Sequence, residues 1–238
     1  YSGALNAWPQ EGVPHQGFST TGVVLPLVRG LLGLAGNALK KELEFGPALP
    51  ADWGHVAISN WKVGAGIFSL DYERRETKAL LRVRSNGAAG FKLVFSPAYG
   101  PGTRVLAVTL NGGALRFKPE TSASGQSVRP WMEIPLTGND TVEVSIKPAP
   151  EILPPDPESR AGDVNRGLKI IRTRQEGATL SLTVEGLAGR SYVLEVANGG
   201  RVASVTGGVF DGRTLTLDFP AGKPGEFTKR DVLIRSKS

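Results

Sequence analysis

Between Tyr1 and Leu39 the chain carries only two formally charged side chains, Glu11 and Arg29, and this scarcity limits the fold more than any other feature. Residues 20–34 read as a helix, with Val23, Val24, Leu27, Leu31 and Leu34 as its apolar positions, Ser19, Thr20 or Thr21 to cap its start and Gly33 or Gly36 to stop it. Pro26 is expected to kink this helix or to shift its true start toward Val24. A helix without a charged stripe has no side for water to cover, so it needs a larger helical body around it. Nothing downstream is patterned to supply one. The expectation is therefore a C-terminal piece of a longer protein.

From Lys41 onward the apolar period falls to two, in runs such as HVAISNWKV, ALLRVRSN, FKLVF, TRVLAVTL and DTVEVSIKP, separated by Gly, Pro and Asn. Asn111-Gly112 marks a tight hairpin, as do Asn198-Gly199 and Asp211-Gly212 further on. Many short strands at close spacing predict a mainly β fold, an antiparallel β-sandwich preceded by one helix. Four segments follow: 1–40, loop and helix; 41–148, the sandwich; 149–165, a Pro-rich connector; and 166–238, further strands of the same sandwich or a small second sheet. With 238 residues and 40% apolar content, the chain can build a real core.

Composition removes several classes of function. There is no cysteine, so disulfides, thiolate catalysis and Cys-based zinc sites are excluded, and His15 and His55 have no partners at ligand spacing. Twenty-eight Lys and Arg against 22 Asp and Glu give a net charge of +6, but the positive residues are scattered and not interleaved with stacking aromatics, so no nucleic-acid partner is expected. The apolar run Val23 to Leu34 is broken by Pro26, Arg29 and Gly30 and is shorter than the ~20 residues a membrane span needs. No Gly-Lys-Ser or Gly-Lys-Thr occurs, and Gly64-Ala65-Gly66 lacks the rest of a dinucleotide fingerprint.

The words Ser2-Gly3, Glu11-Gly12-Val13-Pro14-His15-Gln16, Phe18-Ser19 and Pro26 to Leu34, followed by Leu49-Pro50-Ala51-Asp52-Trp53, occur in this order. In this they resemble the closing segment of the (α/α)6 barrel in bacterial glycoside hydrolases of the glycogen-debranching, amylo-α-1,6-glucosidase-like type. The resemblance covers about the first quarter of the chain. It implies that the helix is the remnant of such a barrel, that the missing N-terminal barrel of the same protein is its partner, and that the β-region buttresses it. Such enzymes use two carboxyl groups, one to protonate the leaving oxygen and one to activate water. The base, on this pattern, falls before Tyr1, which leaves Glu11 as a long shot for catalysis and the chain alone inactive.

The resemblance implies a carbohydrate ligand, no cofactor, no metal, and export to the periplasm or beyond. In the loop ahead of the helix, Trp8 is suited to stack on a sugar face, and His15 and Gln16 to bond its hydroxyls. Trp53, Trp61 and Trp131 are assigned to core packing, with Ile58, Trp61 and Val63 on one inner side. Asp71, Glu73 and Glu76, interleaved with Arg74, Arg75 and Lys78, read as a solvated strand edge, and Arg29 as paired within a buried interface. The rival reading is a non-enzymatic carbohydrate-binding or interaction module.

Overall fold

The computed structural model describes residues 22–121, 127–153 and 166–237, and antiparallel β-sandwich is their dominant architecture, preceded by one helix. The first sandwich contains β1 (Ala35–Asn37), β2 (Glu42–Phe45), β3 (His55–Val63), β4 (Gly66–Arg74), β5 (Lys78–Asn86), β6 (Lys92–Phe95), β7 (Arg104–Leu110), β8 (Gly113–Ala114), β9 (Lys118–Thr121), β10 (Val128–Pro135) and β11 (Asn139–Lys147). One sheet has the order β1-β2-β6-β10-β9 and the other β3-β4-β5-β11-β7-β8. Among the described strands only β2 and β6 pair in parallel, from Glu42 opposite Lys92 to Phe45 opposite Phe95.

Period-two alternation decides which side chains enter the core. Leu43, Phe45, Leu93, Phe95, Met132 and Ile134 come from one sheet and meet Phe68, Leu70, Tyr72, Leu81, Val142 and Val144 from the other. Phe45 stacks on Phe95 at 5.8 Å and meets Tyr72 edge-on at 6.0 Å. Burial among these rings pushes the Tyr72 phenol up to about 12. In β3 the register slips between Ile58 and Trp61, where Asn60 adopts φ 56°. This bulge returns Trp61 and Val63 to the inner side already occupied by Ile58, which strict alternation would have separated.

The second sandwich contains β12 (Glu151–Leu153), β13 (Lys169–Glu176), β14 (Thr179–Leu187), β15 (Ser191–Ala197), β16 (Val202–Thr206), β17 (Val209–Phe210), β18 (Thr214–Asp218) and β19 (Phe227–Ser236). Its sheets, β12-β15-β18-β17 and β13-β14-β19-β16, enclose a separate core that includes Leu182, Val184, Leu194, Leu215, Leu217 and Val232. Residues 151–153 of the Pro-rich stretch are thus a strand, and β12 occupies a sheet edge, where flanking prolines cost no ladder hydrogen bond. Arg74 in β4 joins the two bodies through an ion pair to Glu151 at 2.5 Å, both side chains nearly buried, while its guanidinium lies over the Tyr99 ring. Asn198 adds a second tie by donating to the Ala149 carbonyl at 3.0 Å.

The helix differs from its expected form. It runs from 22 to 31 and stops short of Leu34, and at Pro26 its winding loosens, so that Pro26–Leu31 is π-helical and Leu32 N–H bonds to the Leu27 carbonyl at 2.9 Å. Proline has no N–H to continue the α pattern, and the wider turn takes up that break. Gly33 ends the helix at φ 58°, and a Cβ there would lie 2.7 Å from the Gly46 carbonyl oxygen.

Two expectations test this description. Phe45→Ala should destabilise the first sandwich by ~3–5 kcal/mol and leave the unfolding of the second nearly unchanged, as followed by site-resolved hydrogen exchange in denaturant. At the β17–β18 turn, the Asp211 carboxylate accepts from Thr214 Oγ1 at 2.6 Å and from the Thr214 and Arg213 amides at 2.6 and 2.8 Å, which holds its pKa at about 2. A depressed folded-state value means that this contribution is complete above the ordinary Asp range of about 4 and disappears as pH falls through 2. Carboxyl titration by NMR should show that midpoint, and Thr214→Val should raise it.

Candidate functional site

The helix has its apolar side chains in water. Val23, Val24, Leu25 and Leu27 are 57, 53, 58 and 47% exposed, and no residue of the Pro26–Leu31 segment is fully buried. Only Val28, Leu31 and Leu32 reach the first core. Two backbone bonds fix this root: Gly46 N–H to the Leu32 carbonyl at 3.2 Å, and Ala48 N–H to the Leu31 carbonyl at 2.8 Å. Among the described residues the rod is therefore anchored at one end, and its outer turns leave those four apolar side chains about half exposed.

A groove of about 420 Å3 opens at that root, on the outer face of β2, β6 and β10. Its walls include Glu44, Val94, Ser96, Arg129, Trp131 and Glu133, and Arg29 and Gly30 of the helix form its rim. Arg129 Nη1 donates to the carbonyls of Gly46 and Ser96 at 3.2 and 3.1 Å, so its guanidinium is fixed in place. At the opposite end of β6, Lys92 bridges Glu42 at 3.0 Å and Glu133 at 3.2 Å, and its hydrogen bonds to the two carboxylates raise the lysine's pKa. Lys118 Nζ lies 5.4 Å from the Trp131 ring centroid, reaching it from β9, on the other side of β10 from the groove.

Several expected placements change. Trp131 lies on the outer face of β10 because its neighbours Pro130 and Met132 take the inward positions. Trp53 is 49% exposed and borders a cleft of about 630 Å3 between the sandwiches, together with Leu49, Arg74, Tyr99 and Glu151. Trp61 alone of the three packs on the core, edge-on to Phe68 at 6.4 Å. Arg29 is exposed and forms no ion pair with a described residue. Asp71 and Glu73 stand on a central strand of their sheet and not at its edge. His55 meets Asp71 at 2.9 Å, and Arg82 meets Glu73 at 2.9 Å, which lowers the Glu73 pKa. Trp8, Glu11, His15 and Gln16 lie outside the described residues.

Glu44 and Glu133 were open to discovery from the alternation in LEF and WMEI, which turns each carboxylate away from the core. Their convergence was not, since it depends on the parallel β2–β6 pairing. Among the described residues no helix is long and apolar enough to cross a membrane.

No family model matches the sequence, and no curated protein matches it. Among solved structures, an uncharacterized protein from Listeria monocytogenes aligns with 82% of this chain and 21% of its own length, at 8% identity and a TM-score of 0.33. A likeness that loose carries no argument, and the aligned region is about a fifth of that protein.

The uncovered helix has a direct consequence in solution. The chain should enhance the fluorescence of an anilinonaphthalene sulfonate dye, and Val24→Glu combined with Leu27→Glu should remove most of that signal. The melting temperature should hardly change, because each exposed substitution alters stability by about 0.5 kcal/mol or less. An undiminished signal would locate the dye-binding surface elsewhere.

Proposed function

We propose that the chain is the C-terminal portion of a glycoside hydrolase acting on α-glucosidic or related linkages, with its β-sandwich buttressing a helical catalytic barrel. The observation that carries this reading is the apolar face of Val23, Val24, Leu25 and Leu27, rooted in the sandwich core through Val28, Leu31 and Leu32. The four are about half exposed, so covering each is worth about half of the ~1.5–3 kcal/mol of full burial, a gain from which the costs of association are subtracted. The ordered motif words around the helix support a helical barrel as that partner. In the whole enzyme, one carboxylic acid protonates the leaving oxygen and a carboxylate on the opposite side activates water. Both come from the barrel, and the sandwiches hold its last helix in position.

A second reading, a non-enzymatic carbohydrate-binding module, is favoured by Trp131 and the carboxylates beside it in the groove. The two readings separate in one experiment. The 238-residue chain and a polypeptide extended through the reading frame upstream of Tyr1 are assayed on maltose, isomaltose and a chromogenic α-glucoside. The expected result is hydrolysis by the extended protein only. An upstream frame without helical pairs, or an extended protein inert on all three, would overturn the hydrolase reading.

A further inference from the structure

We infer that the groove at the root of the helix is a binding subsite for one or two residues of a neutral saccharide. The inference does not depend on the hydrolase reading, because every residue it uses belongs to the first sandwich or to the end of the helix.

Sheet register sets the dimensions. Val94 is the cross-strand neighbour of Glu44 on one side and of Glu133 on the other, so the two carboxylates stand two strands apart on the outer face. At about 4.8 Å per strand their Cα atoms are roughly 10 Å apart, with Val94 on the floor between them. The volume of about 420 Å3 falls in the range of small-ligand sites.

Chemistry narrows the ligand class. One step along β10 from Glu133, Trp131 supplies an aromatic surface for the C–H side of a sugar ring. Ser96 offers a hydroxyl, and among the described residues Arg129 is engaged through Nη1, by two backbone carbonyls that fix its guanidinium beside the groove. Gly46 makes room for this arrangement, since a Cβ there would lie 2.9 Å from Ser96 Oγ and 3.4 Å from Arg129 Nη1. Glu42, Glu44 and Glu133 of the lining stand against Arg29 and Arg129, and Lys92, which is outside the lining but bonded to both Glu42 and Glu133, brings the formal sum to zero. An anion meets carboxylates, and a cation meets two guanidinium groups. A hydroxyl-rich neutral ring meets acceptors, donors and an aromatic face, with no net charge to compensate.

The test is titration of the 238-residue chain, followed by heteronuclear NMR and Trp fluorescence, with maltotriose, isomaltotriose and cellotriose. Inorganic phosphate and N-acetylarginine amide serve as anionic and cationic probes. At least one trisaccharide should bind at millimolar or lower concentration and shift the amides of Val94, Ser96 and Glu133. Trp131→Ala should weaken binding about tenfold or more. Glu44→Gln should weaken it less while leaving the melting temperature unchanged, so a folding defect in the Trp131 variant would not leave the site untested. The proposal is overturned if no trisaccharide binds, if binding survives both substitutions, or if phosphate or the arginine amide binds more tightly than every sugar.

Discussion

An apolar rod held at one end and bare at the other sets the terms for this molecule. The Leu31 and Leu32 carbonyls accept from Ala48 and Gly46 N–H in the chain leaving β2, and Val28 packs against the first core, so the rod has a fixed direction. Its outer turns gain nothing from the sandwich, which already buries Phe45, Phe95 and Tyr72 among their own neighbours. Held in this direction, the rod keeps Val23, Val24, Leu25 and Leu27 about half exposed in the described structure. The groove follows from the same anchorage, since the end of the helix supplies its rim and the sheet beneath supplies its floor.

The first sandwich is coupled to the second through chemistry of a different kind. Arg74 and Glu151 are nearly out of water and close together, and neither charge is tolerable there without the other. Arg74 also covers the ring of Tyr99, a residue of the first core, so the joint is continuous with the packing on its side. The two bodies are therefore joined by a specific ion pair, a side-chain hydrogen bond and close packing at Gly100.

Much of this fold was legible because it rests on local rules. The alternation of Leu43, Phe45, Leu93 and Phe95 named the inner face of their strands, and Asn111-Gly112 formed the turn between β7 and β8 with positive φ at both residues. What stayed hidden depends on partners distant in sequence. The parallel pairing of β2 with β6 is such a case, and so is the recruitment of residues 151–153 to β15. Trp131 was misplaced because an aromatic beside Met132 was assigned to the core, although alternation allows only one of two adjacent residues to enter. The sugar-facing residues proposed ahead of the helix lie outside the described residues, and the groove on the sheet was visible only once its strands had been placed side by side.

The most direct measurement is amide hydrogen exchange across residues 22–31, compared between this chain and the same chain extended through its upstream reading frame. The account predicts rapid exchange in the first turns of the helix in the shorter polypeptide and strong protection in the longer one, with little change in the cores around Phe95 and Leu215. Equal exchange in both, with the helix as open in the longer protein as in the shorter, would contradict it.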